Sequence, residues 1–402
     1  MGSRIMGVGI TGTQLTDLEK RILRDTPPYS VVLFGRNVES AEQLRDLVAE
    51  CKAQSNRPPI MMIDEEGGRV DRLRNLLPGL PSAESFLEGQ QTRVMTEWFG
   101  RVVGLALRYF DIEVNLAPVV DIQRDVPTKG LERRCFGSDA ETVIELAGGF
   151  VRGQEEAGTA SCLKHFPGIS LGSGDPHYGN TVVDISAEEL EKSDLRPYKE
   201  LGNLARAVMI GHATYPQIED RITPATLSRA ISTHLLRNVV GFDGIAFSDD
   251  MEMHAVSDLG SYEEITDRAM LAGNDVILFC SHIERVPALM EHMEKRAAGD
   301  PHFAPRFEEA TRRADEYLQF IREIREKQSV TAGSFAELKD AVDEFVVAFE
   351  KAGGDVRAAV PLPRGFSDRR TYPRFRDDGK PEDRREEDRT SGTGKTGREE
   401  WT

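Results

Sequence analysis

What most constrains the fold of this chain is a rhythm: short apolar runs alternate with amphipathic stretches through about the first 300 of its 402 residues. The runs are Val8–Thr11, Ser30–Phe34, Ile60–Ile63, Glu113–Pro118, Ala160–Leu163, Ala207–Ile210, Gly244–Phe247 and Val276–Phe279. Between them, segments such as Thr16–Arg24, Ala41–Ala53, Glu97–Tyr109, Ala140–Glu156, Ala187–Leu204, Ser228–Val240 and Tyr262–Ala272 space their apolar residues as helices buried along one face do. The runs are too short for buried helices and suit strands covered on both sides. Eight strands alternating with helices predict an α/β fold, a single (β/α)8 TIM barrel, better than an open sheet.

The rhythm sets the expected domains. Residues 1–330 form the barrel. Residues 331–360 form a C-terminal helical extension, opened by the capping box Ser334–Glu337 and striped with Leu338, Val342, Phe345 and Phe349. Residues 361–402 hold eleven Lys/Arg and ten Asp/Glu and almost no aliphatic residues, which predicts a disordered charged tail.

That tail is nearly neutral, so the net charge of −17 belongs to the rest of the chain. An acidic body repels phosphate backbones and anionic lipid, which argues against a nucleic-acid or membrane-surface role. No segment has the length of a membrane span and no secretory signal is visible. Cys51, Cys135, Cys162 and Cys280 form no CxxC pair. Together these features predict a cytoplasmic enzyme or binding protein.

Polar residues stand directly after the runs: Asp64-Glu65-Glu66, Asp121, Lys164-His165, His212 and Asp249-Asp250. In a barrel these are C-terminal strand ends, where the chemistry collects. Asp64-Glu65-Glu66-Gly67-Gly68-Arg69 through Arg72 reads as a sugar-binding loop, since a carboxylate accepts hydroxyl hydrogen bonds while arginines donate to other oxygens. Lys164 and His165 read as ligand contacts. Asp175-Pro176-His177, in a glycine-containing loop, pairs a carboxylate with an imidazole able to pass a proton near neutral pH. Ser248-Asp249-Asp250 offers a nucleophilic carboxylate, with a divalent-metal site as the second reading. His212, Arg133 and Arg134 are weaker pocket candidates. Gly7–Gly12 matches GxGxxG, but its glycines fall inside the first strand, which argues against a dinucleotide loop.

Taken together, DEEGGRV, NLAPVVD, KHFPG, the DPH loop and GFDGIAFSDDMEM resemble bacterial β-N-acetylhexosaminidases of glycoside hydrolase family 3, over roughly residues 5–300 and in the same order. The resemblance implies a TIM-barrel enzyme that releases non-reducing-end N-acetylglucosamine from an oligosaccharide or a peptidoglycan-derived muropeptide, as in cell-wall recycling. It assigns the nucleophile to Asp249 and the acid–base pair to His177 and Asp175. It assigns sugar contacts to Asp64, Arg72, Arg134, Lys164 and His165. No organic cofactor and no metal are implied. Gly168-Ile169-Ser170 and Glu132-Arg133 depart from the family pattern and leave aglycone preference open. A phosphorylase, a β-glucosidase of the same superfamily and a non-catalytic sugar-binding protein are the alternative readings.

Overall fold

A computed structural model describes residues 5–87, 93–125, 130–173, 181–219, 223–328 and 333–352. Asp175, Pro176, His177 and the expected tail 361–402 lie outside the described residues.

The strands are β1 (Met6–Gly9), β2 (Ser30–Leu33), β3 (Ile60–Ile63), β4 (Val114–Asn115), β5 (Ala160–Ser161), β6 (Leu163–Phe166), β7 (Gly172–Ser173), β8 (Val182–Val183), β9 (Ala207–Ile210), β10 (Ile245–Asp250) and β11 (Val276–Phe279). One sheet runs β5-β4-β3-β2-β1-β11-β10-β9-β6, parallel throughout. Its two ends, β5 and β6, are separated only by Cys162. The sheet therefore curls back to a single stretch of chain, which makes it the expected barrel of eight strand positions. Two strands outrun their apolar signal. Lys164 and His165 lie within β6 instead of after it, and β10 continues through Asp249 and Asp250. Hydrogen bonding extends the strand into the polar mouth, where apolar side chains are no longer required. The short antiparallel pair β7–β8 had no counterpart among the expected elements.

Side chains alternate across each strand. Val32, Met62, Met209, Phe247 and Leu278 pack together inside the barrel, while Val31, Met61, Val208, Ala246 and Ile277 join the layer beneath the helices. The same period of two carries Asp64, Lys164, Asp249 and Cys280 to the lumen side. Gly7 and Gly9 of β1 also take that side. A Cβ on Gly9 would sit 2.0 Å from the Cys280 carbonyl oxygen, and one on Gly7 would sit 2.4 Å from Ser30 Oγ. These two glycines thus serve close packing within the narrow barrel.

Helix Ala304–Lys327 closes the opposite end. Its Ala314, Tyr317, Ile321 and Ile324 join the interior cluster, and Tyr29 Oη donates to the Ala314 carbonyl at 3.0 Å. The expected helix Ala187–Leu204 is two, Ala187–Lys192 and Arg196–Ala205, because Pro197 starts a new first turn, where its missing N–H costs no bond. The capped helix Phe335–Lys351 lies on helix Arg93–Tyr109, with Phe345 stacked 5.6 Å from Phe99 and Phe349 at 4.8 Å from Phe86. Among the described residues, no helix is long and apolar enough to cross a membrane.

Candidate active site

The C-terminal strand ends surround a cavity of about 750 Å³. Its walls include Asp64, Glu66 and Arg72 after β3, Arg134 after β4, Lys164 and His165 of β6, His212 after β9, and Asp249 and Asp250 of β10. Every sugar-contact candidate named from the sequence therefore meets the candidate nucleophile in one space. Ile169 and Thr181, on either side of the segment carrying Asp175 and His177, line it as well.

One wall is a chain of alternating charges. Lys164 Nζ lies 2.6 Å from both Asp64 Oδ1 and Glu66 Oε1. Arg134 grips Glu66 with two guanidinium nitrogens, at 2.7 and 2.8 Å, and donates to the Gly130 carbonyl at 2.7 Å. Arg72 stands 3.8 Å from the other Asp64 oxygen. Lys164 is only 2% exposed. Burial alone would lower its pKa, but the Asp64 and Glu66 carboxylates outweigh burial and hold the ammonium above its ordinary range. Burial alone would raise Glu66; Arg134 and Lys164 pull it well below the usual carboxylate range. Behind this wall, Glu65 accepts from the backbone N–H groups of Arg72 and Leu73, at 2.8 and 3.1 Å, and so shapes the loop. Burial pushes Glu65 well above the carboxylate range, with the Asp71 charge adding to it.

His165 is oriented by Asp121, a residue only 1% exposed. The carboxylate faces His165 Nδ1 at 2.8 Å and also accepts from the backbone N–H groups of His165 and Ile169, at 3.1 and 2.8 Å. A carboxylate acceptor places the proton on Nδ1 and leaves Nε2 for the cavity.

The facing wall is built differently. Among the described residues, the Asp249 carboxylate has one hydrogen bond, from the Asp250 N–H to Oδ1 at 2.8 Å. Burial would raise its pKa, but His212, His165, that N–H and Lys164 together hold it below the usual range. Asp249 is therefore an anion, one of whose oxygens has no hydrogen-bond partner among the described residues. Asp250 Oδ1 accepts from the N–H groups of Glu252 and Cys280, at 3.1 and 3.2 Å. Burial nevertheless raises Asp250 to about 6, helped by the Glu252 and Asp249 charges. His212 has both ring nitrogens engaged: Nε2 lies 2.9 Å from the Asp250 carbonyl and Nδ1 2.6 Å from Thr226 Oγ1. Burial lowers its pKa against the raising charge of Asp249, and because a carbonyl can only accept, Nε2 carries a proton. Among the described residues no group of three or more His, Cys, Asp and Glu could hold a metal ion.

A strand-end carboxylate with one oxygen unpartnered among the described residues, opposite a network of fixed donors and acceptors, suits attack on a bound polyhydroxylated molecule. The glycosyl hydrolase family 3 N-terminal domain matches residues 6–313. The chain belongs to that family. It is accordingly a glycoside hydrolase. A β-hexosaminidase of Tolumonas auensis is 35% identical over 294 residues, which are 72% of this chain and 86% of the relative. One of Haemophilus influenzae is 31% identical over 74% of this chain and 85% of its own. Among solved structures, a family 3 β-N-acetylglucosaminidase from Paenibacillus superposes with a TM-score of 0.76 at 28% identity, covering 85% of this chain and 67% of that one. NagZ from Neisseria gonorrhoeae superposes with a TM-score of 0.67 at 27% identity, covering 87% and 98%.

Within this family 3 site, several participants had no individual role assigned from the sequence. Glu66 was in the motif without a role of its own, although it stands two residues past Asp64 and thus on the same side of the chain. Asp121 follows an apolar run but partners a residue 44 positions away. Thr226 lies in the short 3-10 helix Ala225–Leu227 and carries no local signal. Arg133, a weak candidate, turns away from the cavity toward Glu84 at 3.5 Å.

Proposed function

We propose that this glycoside hydrolase is a retaining exo-β-N-acetylglucosaminidase that works by double displacement. Asp249 attacks the anomeric carbon while His177, paired with Asp175, protonates the departing oxygen. A water deprotonated by the same imidazole then frees the sugar from Asp249. Asp64, Arg72, Arg134, Lys164 and His165 bind the sugar hydroxyls. The substrate is an N-acetylglucosamine-terminated oligosaccharide, and the resemblance points to peptidoglycan-derived muropeptides and cell-wall recycling. Four free, buried cysteines fit the reducing cytoplasm where such recycling occurs.

The observation that carries this reading is the convergence of Asp249 and the Asp64–Lys164–Glu66–Arg134 chain on one cavity that also touches both flanks of the 174–180 segment. Thr181, four residues after His177, lines the same cavity as Asp249, and four residues of chain span at most about 14 Å. Aryl N-acetyl-β-glucosaminide and β-glucoside should be assayed in parallel, with and without phosphate. Turnover of the former alone, independent of phosphate, is expected. Phosphate-dependent release would mark a phosphorylase, and preference for the glucoside would overturn the substrate assignment. Mass spectrometry of the enzyme quenched during turnover of a slow substrate should find the sugar on the peptide containing Asp249.

A further inference from the structure

The turn that carries Asp64 and Arg72 has a second face. Asp64, Glu66 and Arg72 line the cavity, whereas Glu65 and Asp71, one residue out of step with them, do not. Both are buried, at 0% and 6% exposure. The Glu66 N–H donates to the Val70 carbonyl at 2.9 Å, and the Val70 N–H donates to the Gly67 carbonyl at 3.1 Å. This tight turn brings Glu65 and Asp71 across from each other, and their carboxyl groups lie within hydrogen-bonding range.

Each carboxyl group has one oxygen engaged and one not. Glu65 Oε2 accepts from the Arg72 and Leu73 N–H groups, and Asp71 Oδ2 accepts from the Leu80 N–H at 3.2 Å. Glu65 Oε1 and Asp71 Oδ1 are buried and have no donor among the described residues. A buried acceptor without a donor is destabilising, and two adjacent carboxylates repel when both are ionised. A single proton shared between the groups relieves both problems. A metal ion would need further ligands, and no group of three or more His, Cys, Asp and Glu able to hold one occurs among the described residues. Burial raises both carboxyl groups, Glu65 well above the usual range, while the nearby Arg74 charge favours an ionised Asp71. The proton therefore belongs to Glu65.

We propose that Glu65 is a neutral carboxylic acid donating to the Asp71 carboxylate, and that this shared proton holds the Asp64–Arg72 turn in position for the sugar. Glu65 and Asp71 are positioning residues that touch neither the sugar nor the reacting atoms. Asn115 of β4 already fixes one end of the turn, pairing with the Glu65 backbone N–H and carbonyl at 2.9 and 2.8 Å. The Glu65 side chain fixes the other end through the Arg72 and Leu73 N–H groups. The proposal rests on the assignment of Asp64 and Arg72 as sugar contacts.

Infrared difference spectroscopy at neutral pH, wild type against Glu65→Gln, should show that the variant loses the carbonyl stretch of a protonated carboxyl, a band that shifts in deuterium oxide. Loss of ionised-carboxylate bands instead would overturn the proposal. In kinetics on an aryl N-acetyl-β-glucosaminide, the amide of Glu65→Gln replaces one neutral donor with another and should rescue function. Its KM and kcat should stay within about threefold of wild type, whereas Glu65→Ala should raise KM about tenfold or more with kcat within about threefold, as expected when a binding group shifts by a fraction of an ångström. Equal increases in KM for both variants, or none for Glu65→Ala, would count against the shared proton. Should Glu65→Ala not fold, the infrared band and the Glu65→Gln kinetics decide; a Glu65→Gln chain that does not fold contradicts a neutral Glu65. Asp64→Ala measured alongside separates the two claims. If it leaves KM unchanged, the sugar-contact assignment fails; if it raises KM while the protonated-carboxyl band is absent, only the shared proton fails.

Discussion

The wall formed by β3, β6 and the Arg134 loop and the wall formed by β9 and β10 both hold buried ionisable groups, but they compensate them by different means. On the first, charge answers charge: Lys164 sits between Asp64 and Glu66, and Glu66 between Lys164 and Arg134. On the second, Asp249 and Asp250 lean on backbone N–H groups, and His212 on a hydroxyl and a carbonyl. The first arrangement keeps Lys164 protonated and Glu66 ionised over the physiological range, which suits a donor and an acceptor awaiting a sugar. The second leaves one Asp249 oxygen without a partner among the described residues, and a nucleophile needs that spare lone pair.

The largest effect expected from this contrast is at Asp249. Asp249→Ala should abolish turnover, exceeding the roughly 10²–10⁴-fold that an acid–base group contributes. The loss should come with little change in melting temperature, since one backbone hydrogen bond is all that the carboxylate makes among the described residues. Steady-state kinetics and a thermal melt check both, and near-normal activity in the variant would remove Asp249 from the mechanism.

On the opposite wall activity and stability should fall together. Lys164→Met strands Asp64 and Glu66 beside each other without their shared cation. Breaking a buried ionic group typically costs about 3–5 kcal/mol. Without the ammonium, Glu66 loses one of the two cations that hold its pKa down, so its folded value moves up toward or past the unfolded one. The stability that a depressed carboxylate contributes at neutral pH is then reduced, and the deficit relative to wild type should shrink as pH falls toward 4. Melts of both proteins from pH 4 to 8 test this; a deficit that stays constant would show that the network is not what Lys164 supports. Arg134→Lys should cost less. It retains the charge but replaces a two-nitrogen grip on Glu66 with a point contact, and an increase in KM of about tenfold with a smaller change in kcat is expected.

The two walls also differ in how far the sequence exposes them. Asp64, Lys164 and Asp249 were legible because each continues a strand's alternation past its apolar residues, and a period of two places them on the lumen side. Glu66 obeys the same parity but lay in a run of three carboxylates that offered no reason to prefer one. Contacts that set orientation were not legible. Asp121 for His165 and Thr226 for His212 arrive from segments whose meeting depends on the closed barrel, and no local spacing encodes a contact across 44 or 14 positions. The apolar runs also understated β6 and β10, because apolar character reports burial whereas a strand is defined by its backbone bonds. His212, expected at the sugar, has both nitrogens committed within the protein.

The smallest effect sharpens the contrast through pH. Asp250 is raised to about 6 chiefly by burial, which the two N–H donors only partly offset. A carboxyl whose folded pKa stands above its unfolded value of about 3.9 favours the fold in its protonated form. That contribution is whole below about pH 4 and is lost as the pH rises through 6. Asp250→Asn keeps an oxygen to accept from the Glu252 and Cys280 N–H groups but cannot ionise. Relative to wild type it should therefore gain stability as pH climbs from 4 to 8, by roughly 1–2 kcal/mol once solvent screening of a partly exposed group is allowed for, or a few degrees in a protein of this size. On the first wall, Glu66 is held well below the carboxylate range and Lys164 above its ordinary range, so that pair gives no such step near pH 6. A flat difference between the Asp250→Asn and wild-type melting curves would mean that the second wall is as fully compensated as the first, and the contrast drawn between them would fail.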